Sequence, residues 1–318
     1  MQRPIAILLM AMGGPDKLEN VEPFLLDVRS GRPTPPELVE EIRERYRVTG
    51  GKSPALEITR EVARRLEQQL NGHRPPSRAG FRVYVGLRHW HPSIKEAYAE
   101  LLGDRPERLV GLCMAPQYSS MSIGAYIQKV EEARRTLGGD FPISYVESWH
   151  RHPGLIRAIA DNITAALQRF PAEVRPRVPI LFTAHSLPER ILQANDPYPV
   201  EVRATMDAVC ELVKPETARF AYQSQGRSGE KWLGPDVEST LAELHRGGHR
   251  HVLIAPIGFI SDHVEILYDV DVEFKRLAES KGMRLERISM LNATMPLIDT
   301  LASVLEEHLA SPVRHVSP

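Results

Sequence analysis

Short apolar runs alternate with longer amphipathic stretches from one end of the chain to the other. Eight runs read as strands: Ile5–Ala11, Phe81–Leu87, Leu109–Ala115, Ile143–Glu147, Val178–Ala184, Arg219–Gln223, Val252–Pro256 and Leu285–Ser289. Between them, apolar positions recur with a helical period at Pro36–Tyr46, Ala55–Leu70, Pro92–Leu102, Ile123–Leu137, Pro153–Gln168, Pro199–Leu212, Val237–His245, Val264–Lys281 and Thr294–His308. Such alternation predicts an α/β fold in which parallel sheets are covered by helices on both faces. The eight runs divide into two groups of four around Trp149. Two doubly wound domains in tandem are expected, residues 1–148 and 149–318, with the final helix 294–308 free to pack back on the first. No short internal repeat is visible, and the only biased segment is the Pro/Arg-rich bridge His73–Arg78.

In sheets of this kind the working residues gather beyond the carboxyl ends of the strands. That rule selects Met12-Gly13-Gly14-Pro15, Arg88-His89, Ala184-His185-Ser186 and Gly258–Glu265. A Gly-Gly turn after the first strand suits a nucleotide as well. Neither G-x-G-x-x-G nor G-x-x-x-x-G-K-[ST] occurs, however, which argues against a phosphate cradle.

Composition narrows the field further. Apolar residues make up 42% and charged residues 25%, and 40 basic side chains balance 41 acidic ones, so nothing in the charge points to nucleic acid. Arg43, Arg45 and Arg47 alternate with acids as on a solvated helix face. Cys113 and Cys210 are too few and too far apart for a disulfide framework or a cysteine cluster. A reducing cytoplasm fits, and no iron–sulfur centre is expected. The apolar start runs straight into Gly13-Gly14-Pro15 and reads as a buried strand rather than a signal peptide. No stretch approaches the ~18–20 apolar residues of a membrane span, which leaves at most a peripheral membrane contact.

Two residues stand out chemically. His185 ends a buried strand, where an imidazole is often structural. Glu265 opens a helix, where an acid commonly just complements the dipole. The acids that follow change the balance. Glu265, Asp269 and Glu273 recur every four residues, so on an α-helix they form a row drifting about 40° per step. Like charges so spaced repel. Because Ile266, Leu267, Val270 and Phe274 make the helix largely apolar, an acid row there is costly unless it holds a cation. Imidazole with carboxylate suits Fe(II), and imidazole is also a base near neutral pH. No H-E-x-x-H or H-x-E…C-x-x-C zinc pattern is present. One His and one acid row leave the remaining ligands to a substrate.

Several segments resemble the ferrochelatase family: Phe182-Thr183-Ala184-His185-Ser186-Leu187-Pro188, Asp196-Pro197-Tyr198-Pro199, Gln223-Ser224 with Trp232-Leu233-Gly234-Pro235, and most specifically Pro256–Asp269. The first half adds Met12-Gly13-Gly14-Pro15 and Arg45–Pro54, so the likeness runs over nearly the whole chain in order. It implies a chelatase-like fold of two Rossmann-like domains with four-stranded parallel sheets around a porphyrin cleft. It also implies that His185 and Glu265 bind iron, that His185 accepts pyrrole protons, and that Asp269 and Glu273 lie beneath them with Arg45 nearby. Arg29, Arg45, Tyr46, Ser53 and Tyr126 match positions that hold the propionates and rim of coproporphyrin III in the bacterial type, and Arg88 and His89 match cleft-facing positions. Met12 stands where many Gram-positive-type enzymes place a Tyr. Other branches carry Met there, but a thioether cannot supply a phenolate ligand to product iron.

The expected activity is insertion of Fe(II) into coproporphyrin III to give coprohaem, with both as substrates and no permanently bound cofactor. Protoporphyrin IX is the alternative substrate, favoured by Met12 and by Gln117-Tyr118-Ser119. Against it, the segment Val21–Gly50 lacks a long apolar lip, and no Cys-bearing tail follows the last helix. A haem carrier or sensor on the same fold is the non-enzyme alternative, and a cobalt chelatase for a more reduced tetrapyrrole is a further enzyme alternative. A cytoplasmic monomer is expected, with a downstream haem-pathway enzyme as candidate partner.

Overall fold

The computed structural model describes residues 3–72, 80–226 and 229–310, so the bridge His73–Arg78 lies outside the described residues. Strands form where the apolar runs predict them: β1 (Ile5–Ala11), β2 (Phe81–Leu87), β3 (Arg108–Cys113), β4 (Ile143–Val146), β5 (Ile180–His185), β6 (Ala218–Gln223), β7 (His251–Pro256) and β8 (Arg284–Arg287). The helices are α1 (Val21–Val28), α2 (Pro36–Val48), α3 (Ala55–Gly72), α4 (Ile94–Gly103), α5 (Ile123–Leu137), α6 (Pro153–Leu167), α7 (Arg190–Gln193), α8 (Tyr198–Val213), α9 (Val237–Arg246), α10 (Lys275–Ser280) and α11 (Met295–Ala310). Between β7 and α10 lies a π-helix, Glu265–Phe274.

The two sheets have the orders β2-β1-β3-β4 and β6-β5-β7-β8, and every pairing is parallel. In each order the chain starts at the second place, steps to one edge, then returns to build the other side. The switch points therefore lie between β1 and β3 and between β5 and β7, and a crevice opens beyond the carboxyl ends of those strands. Met12, Tyr118, His185 and Gly258 follow or end these four strands.

One apolar core spans both sheets. It includes Ile7 and Leu9 of β1, Leu66 of α3, Phe182 of β5, Leu253 of β7 and Leu301 of α11. Leu297, Ile298, Leu301 and Leu305 are fully buried, and α11 packs against α6 and also against α3 and β4 of the first sheet's layers. Smaller clusters cover the outer faces, around Tyr98 and Leu101 for the first sheet and Leu241 and Val270 for the second. Among the described residues, no helix is long and apolar enough to cross a membrane.

The short helices α1 and α7 and the helix type after β7 differ from the sequence expectation. Helix α1 is only 8 residues long, with Pro23 in its first turn and Val21 and Phe24 buried. A helix that short shows too few repeats for a period to register. The stretch Val264–Lys281 is not one α-helix: Glu265–Phe274 is a π-helix, bonded from i to i+5. Its buried apolar residues Ile266, Val270, Phe274 and Ala278 are spaced by four throughout, a wider repeat than the 3.6 of an α-helix.

Candidate active site

Five of the six residues of β5, from Ile180 to Ala184, are buried, and His185 is the first to reach the crevice. Its backbone is anchored on both sides: the Tyr198 hydroxyl donates to the His185 carbonyl at 2.9 Å, and Ser186 N donates to Gln223 O at 2.8 Å. The ring is anchored too, because Nδ1 faces the Ser186 carbonyl oxygen. A proton on Nδ1 donates there, which leaves Nε2 as the atom turned to the crevice. Trp232 and Phe259 flank the imidazole, each with its ring centroid 6.4 Å away.

Glu265 arrives from β7 through a loop that crosses β5 closely. Ile257 N and Gly258 N both donate to Thr183 O, and a Cβ on Gly258 would lie 2.6 Å from Ala184 Cβ. Only glycine permits that approach, which sets the following π-helix beside His185. Glu265 Oε1 then lies 3.5 Å from His185 Nε2, and Oε2 lies 3.5 Å from His263 Nε2. Burial opposes charge on Glu265, but the two imidazoles outweigh it and hold the carboxyl well below the usual range. For His185 burial likewise opposes protonation, and the Glu265 charge reverses that and pushes the imidazole up to about 9. Without metal, the two form an ion pair at neutral pH.

The acid row continues outward. The side chains of Glu265, Asp269 and Glu273 are 24%, 6% and 45% exposed, so the middle acid is the most buried and the last reaches solvent. Asp269 accepts from Ser224 Oγ at 2.5 Å and meets Arg45 Nη1 at 3.2 Å. Burial and the Glu265 charge nevertheless raise its pKa to about 6. Arg45 reaches across from α2, placing Nη2 3.8 Å from Glu273 and 3.2 Å from Glu41, with its guanidinium 4.9 Å from the Tyr268 ring centre. The solvated-face reading of this helix holds for Arg43 and Arg47, which pair with Glu40 and Glu44, but not for Arg45, which turns inward.

Tyr46, the next residue, is buried, and its hydroxyl pKa is raised by burial and by the Glu265 charge. Ser53 N donates to Pro15 O at 2.8 Å, and a Cβ on Gly14 would lie 2.5 Å from Ser53 Oγ and 3.6 Å from the Tyr46 hydroxyl. The Met12–Pro15 turn, Tyr46 and Ser53 thus form one cluster. Met12 is 42% exposed, and its carbonyl accepts from His89 N. His89 Nδ1 meets Asp27 Oδ2 at 2.7 Å, and burial outweighs that partner and lowers the imidazole pKa. Arg88 donates to Met121 O at 2.9 Å and lies over Tyr126, 5.6 Å from the ring centre.

The structure therefore brings His185, Glu265, Asp269, Glu273 and Arg45 together, with Tyr46 within reach of the Glu265 charge. Met12, Arg88, His89 and Tyr126 form a neighbouring cluster on the first half. Arg29 stands apart: its Nε donates to Arg32 O, within its own turn. Sequence reasoning gave no role to His263 and Ser224, which touch Glu265 and Asp269, although both lie in segments it quoted. Among the described residues, no group of three or more His, Cys, Asp or Glu forms a ready metal cage.

The sequence model of the ferrochelatase family matches residues 4–309. The chain belongs to the ferrochelatase family. It is a metal chelatase with a porphyrin and a metal ion as substrates. A ferrochelatase of Herpetosiphon aurantiacus is 41% identical over 305 residues, covering 96% of this chain and 99% of the relative. A ferrochelatase of Deinococcus radiodurans is 39% identical over 312 residues, covering 97% of each. A coproporphyrin III ferrochelatase of Geobacillus kaustophilus is 36% identical over 306 residues, covering 96% of each. Among solved structures, SirB from Bacillus subtilis with Fe3+ superposes with a TM-score of 0.61 at 11% identity over 96% of both chains, a likeness of fold.

Proposed function

We propose that this ferrochelatase inserts Fe(II) into coproporphyrin III and releases coprohaem. The observation that carries the reading is the pair His185 Nε2 and Glu265 Oε1, 3.5 Å apart at the second switch point, with oxygen donors leading from it to solvent. Insertion exchanges two pyrrole protons for one Fe(II). Neutral His185 holds iron at Nε2 together with Glu265, and Asp269 and Glu273 carry the ion inward while replacing its water. As the ion passes to the macrocycle, the freed Nε2 takes one pyrrole proton and water in the crevice takes the other. An ion held by few protein ligands passes readily to four pyrrole nitrogens. A cleft that favours a bent macrocycle exposes their lone pairs. We read the enzyme as needing no resident cofactor, since iron is a substrate.

Four propionates distinguish coproporphyrin III, and each needs a donor if it is to leave water. Arg29, Arg45, Tyr46, Ser53 and Tyr126 are the proposed donors, with Arg88 and Met12 against the ring. The Geobacillus relative's name supports the same substrate. Gln117 gives less support to the protoporphyrin IX branch than its sequence suggested. Its side chain is buried and donates to Thr205 Oγ1 and Ile257 O, both at 3.1 Å, so it serves packing. The exposed apolar side chains of Met12 and Leu26, each 42% exposed, favour the vinyl-bearing ring as the second reading. Initial rates with the two porphyrins under matched, detergent-controlled conditions test the choice. Coproporphyrin III is expected to be metallated at least about tenfold faster, equivalent to ~1.4 kcal/mol. An equal or faster rate with protoporphyrin IX overturns the assignment and leaves the chelatase activity standing.

A further inference from the structure

The segment Asp196-Pro197-Tyr198-Pro199 contributes no side chain to the acid row, yet it is bonded to both walls of the crevice. On one side the Tyr198 hydroxyl holds the His185 carbonyl at 2.9 Å. On the other, Asp196 Oδ2 accepts from Ser119 Oγ at 3.0 Å, Ser120 N at 2.8 Å and Ser120 Oγ at 2.7 Å. Its second oxygen accepts from Tyr198 N at 3.0 Å. Asp196 is 8% exposed, and among the described residues no cation pairs with it, so donors alone stabilise its charge.

The turn that Asp196 holds leads directly to the porphyrin-facing cluster. Met121, one residue on, presents the carbonyl that receives Arg88 Nη1 at 2.9 Å, and α5, which begins at Ile123, carries Tyr126 beneath the same guanidinium. The turn has further ties to the second half: Glu201 accepts from Tyr118 N at 2.7 Å, and Gln117 donates to Thr205 Oγ1 and to Ile257 O. Of these, the Asp196 contact lies nearest in the chain to Met121, whose carbonyl receives Arg88.

We propose that Asp196 is a positioning residue for porphyrin binding. By fixing the Ser119–Met121 turn it sets the Arg88 guanidinium at a defined distance from His185, so that one carboxylate spaces the two walls that grip the macrocycle. The inference rests on Arg88 facing the porphyrin, as proposed above. Loss of the carboxylate strands buried donors in the turn, which then rearranges and takes the Met121 carbonyl with it.

Asp196→Asn keeps the shape but turns an NH2 toward a donor. It is expected to raise the porphyrin KM about tenfold, the equivalent of one or two lost hydrogen bonds, with kcat and the iron KM close to wild type. Arg88→Met alone is expected to raise the porphyrin KM, and the two changes together to do little more than either, because both act through one contact. Should Asp196→Asn prove unstable, Ser120→Ala removes the Oγ donor at an exposed residue while keeping the backbone N–H, and is expected to shift the porphyrin KM in the same direction by about threefold. Full additivity with Arg88→Met overturns the proposal, as does an equal fall in kcat and rise in both KM values. A normal porphyrin KM in Arg88→Met overturns instead the placement of Arg88 at the ring, and this inference with it.

Discussion

Burial works against a charge on His185, yet the Glu265 carboxylate 3.5 Å away prevails and pushes the imidazole up to about 9. An imidazole binds metal only in its neutral form, so an incoming dication has to displace that proton. Calorimetric titration with Co(II) in buffers of different ionisation enthalpy is expected to show about one proton released per ion at pH 7. Apparent affinity should rise with pH, and the release should fade as pH passes about 9. Below about pH 6 Asp269 is protonated as well, and a second proton should appear. The sign for stability runs the other way. The raised imidazole pKa stabilises the metal-free fold fully below 6.5, and that contribution is lost as pH rises through about 9. Buffer-independent heats at pH 7 would remove His185 from the metal site. His185→Ala should lower insertion by at least ~10²–10⁴-fold, the usual share of a general base, while circular dichroism and the porphyrin absorbance shift show folding and binding retained. Wild-type turnover in that variant ends the assignment.

At the scale of the element, the π-helix decides how the acids are used. It starts beside His185, its second acid is buried against Ser224 and Arg45, and its third reaches solvent. Position along this row predicts different kinetic defects. Glu265→Gln should behave like His185→Ala, because both act at the macrocycle. Asp269→Asn and Glu273→Gln should instead raise the iron KM by about tenfold, ~1.4 kcal/mol, the Coulomb scale for a dication near a partly exposed carboxylate, with kcat changed much less. The check is initial rate against ferrous iron at saturating porphyrin. Unchanged iron dependence in both outer variants would make the row a solvated helix face.

For the whole molecule, a defined crevice requires that the two sheets keep their separation. The shared apolar core and α11 supply that constraint, since α11 buries Leu297, Ile298, Leu301 and Leu305 while touching α3, α6 and β4. Leu301→Ala should cost ~2–5 kcal/mol, the range for a leucine deleted from a packed core, measured by urea unfolding with the slope compared to wild type. A loss below about 1 kcal/mol would show that α11 is peripheral to the core.

Most of the eight strands were legible in the sequence as short apolar runs, although β6 carries Arg219 and β8 has Leu285 as its single apolar residue, and the carboxyl-end rule put His185 and Glu265 among four candidate places. The acid row was legible from its spacing. Its helix type was not read, although the four-residue spacing of Ile266, Val270, Phe274 and Ala278 carried the signal. Helix α1 stayed hidden because eight residues are too short for a period. What only tertiary structure decided is which side chains meet across the gap. Arg45 lies 224 positions before Asp269; the family resemblance set it near the acids, but a periodicity that describes one segment says nothing about a partner so remote. The same holds for Asp196 and Ser120, whose hydrogen bonds depend on how two separately wound sheets are set against each other.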